Sequence, residues 1–268
     1  MKSNSICLSI IGGGVMAEAI LSRLLKQSVF TASTVLVSEP RAERRDFLTG
    51  EYRVEVTADN QTAISAGEIL LLAIKPQVFD SVVANIEPNP NSIIVSILAG
   101  VTINKLEQAF PNNPVIRVMP NTPATVGAGM TAIAAGTKAN KEHIDRARSI
   151  FTAIGEVVEV PESMMDAVTG LSGSGPAFVA LAIEALADGG VASGLPRAIA
   201  LQLAIQTVLG TATLLKETEI HPGVLKDRVT SPGGTTIAGV AKLESQGFRS
   251  ALIEAVKTAT ERSKELGK

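Results

Sequence analysis

An apolar run that leads directly into a glycine-rich turn is the feature that most constrains how this chain can fold. Residues 6–11 are apolar and partly β-branched, which predicts a buried strand, and residues 15–26 carry apolar side chains at helical spacing. In the pattern G-x-G-x-x-A, Gly12 allows a tight turn, Gly14 lets a pyrophosphate approach the backbone, and Ala17 lets the helix pack close to the sheet. This context favours a dinucleotide-binding loop over a glycine turn that binds no nucleotide. The predicted loop residues are Gly12, Gly13, Gly14, Val15, Met16 and Ala17.

Strand-like and helix-like segments alternate through the first part of the chain. Further strands are predicted at residues 34–38, 53–57, 68–74, 92–98 and 115–119. Such alternation predicts a parallel sheet with helices on both faces. From about Pro161 onwards, Ala- and Leu-rich helical stretches dominate. We therefore expect an α/β chain, with a Rossmann-like dinucleotide-binding domain at residues 1–160 and an all-helical domain at residues 161–268.

The composition disfavours several classes of protein. The 268 residues carry a formal net charge of -2 and 3% aromatic residues, so a nucleic-acid partner is not expected. A single cysteine, Cys7, leaves no internal disulfide, and with only two histidines a metal site is not expected either. The apolar run before Gly12 is too short for the core of a signal peptide. We therefore expect a cytoplasmic protein that acts on a small molecule.

One stretch of the second part, residues 198–215, carries no charged side chain. Its length admits a membrane span. Polar and glycine residues interrupt it, which favours a helix buried on most sides against a second subunit. These residues are Gln202, Gln206, Thr207, Gly210, Thr211 and Thr213. We therefore expect no membrane partner and a homo-oligomer with a dimer as its basic unit, and a larger assembly stays open.

The end of the second predicted strand combines two opposed signals for the choice of nucleotide. An acidic residue at this place binds the ribose hydroxyls of NAD, whereas a nearby arginine holds the 2′-phosphate of NADP. Glu39 gives the first signal, and Ser38 with Arg41 gives the second. Arg44 and Arg45 follow one helical turn later, where an ordinary solvated helix face explains them equally well. We expect Ser38, Glu39 and Arg41 to bind the cofactor, with NADPH slightly favoured and NADH open.

Two later strand ends are candidates for the same cleft, because open parallel sheets bind ligands beyond the carboxyl ends of their strands. The first consists of Ala73, Ile74, Lys75 and Pro76. Its lysine either lines the cleft or ends the strand in solvent. At the second, Asn121 either faces the nicotinamide or belongs to a turn shaped by proline.

A second loop of small residues, at residues 230–237, precedes an apolar helix in the second part of the chain. It offers hydroxyls, a glycine pair and open amides at a helix start, which suits a small anion such as a carboxylate. Capping of the helix by Thr235 or Thr236 is the alternative, but capping needs one hydroxyl and the loop has four. A further bend of small residues, 171–176, either packs beneath a ligand or lets two helices cross closely.

Residue pairs for strong acid–base catalysis are not evident in the sequence. His143 lies in a charged helical stretch and is predicted at the surface, and His221 is predicted to order a turn. Oxidation of an alcohol needs a group that removes a proton. A protonated imine is already electrophilic, and it accepts a hydride in a site made of hydroxyls and backbone amides.

These motifs together resemble those of the pyrroline-5-carboxylate reductases, over nearly the whole chain. Besides the glycine loop they comprise residues 73–76, 119–123 and 166–176, and residues 221–236 are the most family-specific. The resemblance implies a Rossmann domain and a helical substrate-binding and dimerisation domain that interlocks with a partner subunit. It also implies reduction of 1-pyrroline-5-carboxylate to L-proline by NAD(P)H, the last step of proline biosynthesis.

The resemblance further implies roles for single residues around the substrate. Thr236 would hydrogen-bond the ring nitrogen and is the expected catalytic residue. Ser231 and the amides of Thr235 and Thr236 would hold the carboxylate, with Gly234 in the same loop. Glu162 matches a position near bound proline.

Around the cofactor, Asn60 matches a position near the adenosine ribose. A strand end beside the cofactor is matched by Ile97, Leu98 and Ala99. Glu39 departs from the family pattern, because relatives often place there a small hydroxyl residue that accepts the 2′-phosphate.

Two other functions are compatible with the sequence. One is a different two-domain NAD(P)-dependent reductase, either a 3-hydroxyacid dehydrogenase or an imine reductase for another substrate. The other is a non-catalytic sensor that binds the dinucleotide without turnover.

Overall fold

A computed structural model describes residues 5–84 and 86–267, and the chain forms two compact units. The first unit comprises Met1–Gly173 together with Ala259–Lys268. The second unit comprises Ser174–Thr258.

The first unit is built on a sheet of eight strands among the described residues, in the order β3-β2-β1-β4-β5-β6-β7-β8. The strands are β1 (Leu8–Ile11), β2 (Val35–Ser38), β3 (Glu55–Thr57), β4 (Ile69–Leu72), β5 (Ile93–Ser96), β6 (Val115–Met119), β7 (Gly129–Ala135) and β8 (Gly155–Glu159). All six predicted strands are present, most of them shortened at their ends. The six predicted strands, β1 to β6, pair in parallel as expected. Two further strands were not predicted: β7 runs antiparallel to β6, and β8 runs parallel to β7.

The helices of the first unit cover both faces of the sheet, as predicted. They are α1 (Val15–Lys26), α2 (Ala42–Tyr52), α3 (Asn60–Ala66), α4 (Phe79–Val83), α5 (Ile103–Ala109), α6 (Lys141–Thr152) and α7 (Met165–Val168). Neighbouring residues of one strand, Leu70 and Leu71, belong to two different buried clusters. Because successive side chains of a strand point to opposite faces, the sheet is buried on both sides.

The first unit continues beyond the predicted boundary at residue 160. Met165 of α7 is buried against Ile103, Ala132 and Ala134, so this short helix packs on the sheet. Near the C-terminus, the hydroxyl of Ser263 donates a hydrogen bond of 2.7 Å to Asp166. Apolar packing therefore keeps residues 161–173 with the sheet, while the functional division at residue 160 stays a prediction.

The second unit consists of helices joined by short turns, with no strand among its described residues, and its own core is small. It contains α8 (Gly175–Ala192), α9 (Arg197–Thr218), α10 (Pro222–Val229), α11 (Thr235–Ser245) and most of α12 (Phe248–Leu266). The buried cluster here consists of three alanines, Ala187, Ala200 and Ala204. By length and composition alone, the stretches Glu162–Ala192 and Arg197–Thr218 could each span a membrane. Most of the residues in these two stretches are not buried in the single chain.

Candidate active site

The glycine loop after β1 has the geometry that its pattern predicts. Gly12 has φ +96°, and a Cβ at this position would lie 2.8 Å from the carbonyl oxygen of Ala73, so the turn requires glycine here. At Gly14, by contrast, an added Cβ would meet nothing within 4 Å. Helix α1 starts at Val15 with Gly14 as its N-cap and no side chain capping it. The first-turn amides of α1 are therefore available to an anion.

Four more strand ends meet this loop at one edge of the sheet, because β1, β2, β4, β5 and β6 run parallel. Strand β1 lies between β2 and β4, which is where the strand order reverses. The edge thus gathers most of the predicted cofactor residues of the first unit. They are Gly12 to Ala17, Ser38, Glu39, Arg41, Ala73, Ile74, Lys75, Pro76, Ile97, Leu98, Ala99 and Asn121.

At the end of β2, Ser38 and Asn60 are joined. The Ser38 side chain is buried, and its hydroxyl donates a hydrogen bond of 2.7 Å to the Asn60 amide oxygen. Two residues that the sequence placed separately near the nucleotide are therefore neighbours.

Glu39 is the buried acidic group of this edge, only 4% exposed. Its carboxylate accepts hydrogen bonds from the Gly13 amide at 3.0 Å and from the Arg41 guanidinium at 2.9 Å. Burial raises the pKa of Glu39, but the bonds from Arg41 and from the Gly13 backbone outweigh burial and hold this pKa below its ordinary value. The carboxylate is therefore charged at neutral pH and engaged inside the protein, while the Arg41 side chain is 69% exposed.

Asn121 uses its whole side chain to hold other parts of the first unit together. Its amide oxygen accepts a hydrogen bond from the Met130 amide at 2.9 Å. Its amide nitrogen donates to both the carbonyl and the hydroxyl of Ser172, each at 3.2 Å. Asn121 thus ties the end of β6 to the π-helical turn Thr169–Gly173, and contact with a nicotinamide stays a prediction.

Glu162 is also engaged within the first unit. One carboxylate oxygen accepts hydrogen bonds from the Ile103 amide at 2.6 Å and from the guanidinium of Arg117 at 3.0 Å. Arg117 lies on β6 and is buried, so Glu162 neutralises a buried charge. The predicted role of Glu162 near the substrate stays a prediction. Arg117 was not singled out from the sequence, although a lone arginine within an apolar strand is a usable signal.

The second loop of small residues belongs to the second unit. Gly233 has φ +66°, and the Gly234 amide donates a hydrogen bond of 3.1 Å to the Ser231 carbonyl. Helix α11 begins at Thr235 with Gly234 as its N-cap, and no side chain caps it. The alternative that Thr235 or Thr236 serves as a cap is therefore wrong.

A cavity of about 570 Å³ adjoins this loop within the second unit, between α9, α10 and the start of α11. Thr236 lines it together with Lys226 and several side chains of α9, among them Gln206, Thr207 and Thr211. One threonine of the loop therefore faces a space large enough for a small molecule or a packed side chain, and its neighbour Thr235 is exposed.

Both histidines cap helices, which agrees with the turn-ordering role expected of His221 and gives His143, expected simply at the surface, a role that was not predicted. The imidazole of His143 completes a capping box with Asn140 at the start of α6. The imidazole of His221 caps α10 by accepting a hydrogen bond of 3.1 Å from the Gly223 amide. Among the described residues, no group of three or more acidic, histidine or cysteine side chains could hold a metal ion.

The comparisons with known proteins agree with this architecture. A family model described as pyrroline-5-carboxylate reductase dimerisation matches residues 162–266, and one described as NADP oxidoreductase, coenzyme F420-dependent, matches residues 7–100. The pyrroline-5-carboxylate reductase of Synechocystis sp. is 61% identical, over 98% of this chain and 99% of its own length. The chain belongs to the pyrroline-5-carboxylate reductase family.

Solved structures of this family share the fold over its full length. The pyrroline-5-carboxylate reductase of Coxiella burnetii matches with a TM-score of 0.90 and 34% identity, covering 99% of this chain and 100% of that one. The Plasmodium falciparum enzyme, solved with NADP bound, matches with a TM-score of 0.89 and 31% identity, covering 98% of both chains. A Rossmann-like first part followed by a helical part is therefore the fold of this chain.

Proposed function

We propose that this protein reduces 1-pyrroline-5-carboxylate to L-proline, the last step of proline biosynthesis, in the cytoplasm. The observation that carries the proposal is the full-length relationship to pyrroline-5-carboxylate reductases, in a chain that keeps both the glycine loop and the uncapped threonine loop. The reaction adds a hydride to the imine carbon and a proton to the ring nitrogen. The bound nicotinamide dinucleotide supplies the hydride.

The first unit holds the dinucleotide along the carboxyl edge of its sheet. The amides of Gly14, Val15 and Met16 bind the pyrophosphate at the uncapped start of α1. Gly14 supports this role, because its open side lets the phosphates approach the backbone closely. Asn60 lies beside the ribose, and residues 73–76 and 97–99 line the cleft.

Arg41 sets the preference between the two nucleotides, and NADPH is the preferred hydride donor. The buried Glu39 carboxylate already accepts bonds from Gly13 and Arg41, so ribose hydroxyls compete for it with groups of the protein. The exposed guanidinium of Arg41 suits a 2′-phosphate instead. NADH is a weaker second donor, because it lacks this phosphate.

The second unit holds the substrate. The amides of Thr235 and Thr236, with Ser231, bind the carboxylate at the uncapped start of α11. The Thr236 hydroxyl accepts a hydrogen bond from the protonated imine nitrogen and so fixes the ring in place. The protein mainly aligns the reacting groups, and no strong general acid is needed because the imine is protonated before hydride arrives.

A dimer formed through the second unit is the working form. The support is the row of exposed apolar side chains on α8 and α9, such as Leu181 at 66% and Leu209 at 57%. A second copy is the proposed cover, since the matching family model describes a dimerisation region.

The first test is the loss of NADPH absorbance with 1-pyrroline-5-carboxylate, repeated with NADH. We expect turnover with both and a higher kcat/KM with NADPH. A 3-keto acid serves as the control substrate and should give no turnover. Activity with the 3-keto acid alone would contradict the proposal and favour a hydroxyacid dehydrogenase, and NADPH binding without any turnover would favour a sensor.

The second test replaces Thr236 by Ala. Loss of a hydrogen bond to a charged group costs roughly 1.5–3 kcal/mol, so we expect kcat to fall about 10- to 100-fold while the Kd of NADPH stays unchanged. Thr218→Ala is the matched control, because the Thr218 hydroxyl donates its hydrogen bond to the Leu214 carbonyl of its own helix. Full turnover by Thr236→Ala would show that the assigned role is wrong.

A further inference from the structure

The middle glycine of the dinucleotide loop is held at both of its polar atoms by side chains that do not belong to the loop. The Gly13 amide donates to Glu39, and the Gly13 carbonyl accepts a hydrogen bond of 2.6 Å from Nε of Arg44, a residue of α2. Gly13 is also walled in, since an added Cβ would lie 2.8 Å from a methyl group of Leu48. Helix α2 therefore holds Gly13 in place through Arg44 and Leu48.

Arg44 is itself held in place on three sides. Its Nη2 forms an ion pair with Glu18 of α1, and its guanidinium lies 4.8 Å from the centre of the Phe47 ring. Glu18 in turn accepts a hydrogen bond of 2.9 Å from the Tyr52 hydroxyl, and the rings of Tyr52 and Phe47 meet edge to face. A side chain ordered in this way loses little entropy in holding a backbone carbonyl.

The bond to Gly13 sets the direction of the next amide in the loop, that of Gly14. The Gly13 carbonyl and the Gly14 amide belong to one peptide unit, which is planar and trans, so the two groups point in opposite directions. Arg44 draws the carbonyl toward α2, and the Gly14 N–H is thereby turned away from α2. Gly14 is also the loop position whose side is open.

We propose that Arg44 is a positioning residue for the dinucleotide, holding the Gly13–Gly14 peptide in the orientation that binds the pyrophosphate without touching the cofactor itself. Glu18 and Tyr52 hold Arg44. This inference rests on the proposed function only in that a dinucleotide binds the loop; it does not depend on the substrate.

The experiment measures the Kd of NADPH by its fluorescence, in the full-length protein and without substrate. For Arg44→Ala we expect binding about tenfold weaker, which is ~1.4 kcal/mol, and a KM for 1-pyrroline-5-carboxylate within about twofold of the wild type. Arg148→Ala is the matched control, because Arg148 likewise binds one carbonyl, that of Val157, and one carboxylate, that of Glu159. The control should leave the Kd unchanged.

Two further variants separate positioning from charge. Arg44→Lys keeps the charge without the planar fork, so it should recover only part of the affinity. Glu18→Gln removes the countercharge. If Arg44 acted by its charge alone, Glu18→Gln would tighten NADPH binding, whereas positioning requires binding about threefold weaker.

Tyr52 gives an independent spectroscopic readout, since it is the one tyrosine of the sequence and there is no tryptophan. Burial and the bond to Glu18 raise the pKa of Tyr52 to about 12. Tyrosinate absorbance should therefore titrate near that value in the wild type and at lower pH in Glu18→Gln, which checks that the variant has released the contact.

Three results would overturn the proposal. One is a wild-type Kd for NADPH in Arg44→Ala, and another is tighter binding in Glu18→Gln. The third applies if Arg44→Ala does not fold: an unchanged Kd for NADPH in Glu18→Gln, in a variant whose tyrosine titration has shifted, would then contradict the proposal. A wild type that binds NADPH but does not reduce pyrroline carboxylate would sink the proposed function and leave this inference standing.

Discussion

The two units solve the problem of burying apolar side chains in opposite ways. In the first unit, strands such as β1 and β4 are buried along their whole length between helices on both faces. In the second unit, α9 buries only Ala200 and Ala204, while its isoleucines and all of its leucines except the half-buried Leu215 remain exposed. The comparison teaches that apolar sequence can lead to two outcomes: the first unit completes its core within the chain, and the second exposes apolar side chains that the proposed dimer would cover.

The largest expected effect comes from placing a charge on the exposed apolar face of the second unit. In Leu209→Glu, a carboxylate would be buried without a partner in the proposed dimer, at a cost of roughly 3–5 kcal/mol. We expect the dimer Kd to rise by more than about 100-fold and turnover to fall with it, while NADPH still binds. Light scattering coupled to gel filtration measures the assembly.

The same change in the first unit is the control. Val158 is likewise exposed, at 38%, and lies on β8 at the edge of the sheet. Val158→Glu should leave the assembly and the turnover unchanged. If Leu209→Glu behaved like Val158→Glu, the face on α9 would be an ordinary solvent-exposed surface and the contrast between the units would fail.

A pair of truncations sharpens the contrast. Leu71 is fully buried within the first unit, so Leu71→Ala should destabilise the protein by about 2–5 kcal/mol. Leu203 is 52% exposed in the single chain, where its truncation would cost about 0.5 kcal/mol or less. If a second copy covers Leu203 in the proposed dimer, the expected loss of stability on truncation rises to about 2 kcal/mol.

Denaturant unfolding at two protein concentrations measures both costs. The effect of Leu203→Ala should depend on concentration, because mass action links folding to assembly, and that of Leu71→Ala should be present at either concentration. A cost for Leu203→Ala that is small and independent of concentration would contradict coverage by a partner.

The sequence predicted the strands of the first unit well where they are continuous apolar runs, as in β4 and β5. It missed β7, whose segment Gly-Met-Thr-Ala-Ile-Ala-Ala is rich in alanine and glycine, residues that are depleted in strands. It also missed β8, a largely exposed edge strand that begins with glycine and contains two glutamates. Both strands form because they pair with neighbouring strands and pack against α6, and these contacts join separate segments of the chain, so no local signal predicts them.

The candidate site was likewise predictable only where its signals are local in sequence. The glycine pattern and the strand ends located the dinucleotide edge, because those signals are local in sequence. The bond between Glu39 and the Gly13 amide was not predictable, since the two residues lie 26 positions apart along the chain. Arg44 was indistinguishable from a solvated helix residue until its carbonyl and carboxylate partners were seen in three dimensions.

The smallest expected effect is on the melting temperature at low pH, and it is tested with one carboxylate from each unit, Glu39 and Glu244. Hydrogen bonds from Arg41 and the Gly13 amide, opposed by burial, lower the pKa of Glu39, and the bond from Arg249 lowers that of the exposed Glu244. A lowered pKa in the folded state stabilises the protein above the ordinary carboxyl pKa, and this stabilisation is lost as the pH falls through the folded value. Glu39→Gln should therefore melt about 2–4 °C below the wild type near neutral pH, with the gap closing as the pH falls below the ordinary carboxyl range.

Glu244→Gln should show a smaller gap that disappears in about 0.5 M salt, because water and ions screen an exposed pair. Melting temperatures across this pH range, with and without salt, check both variants. If Glu244→Gln had the larger and salt-independent gap, that ion pair would be buried in the assembled protein. The partner would then cover α11 and α12 as well as α9, and the core shared between subunits would extend further than the exposed leucines of α9 indicate.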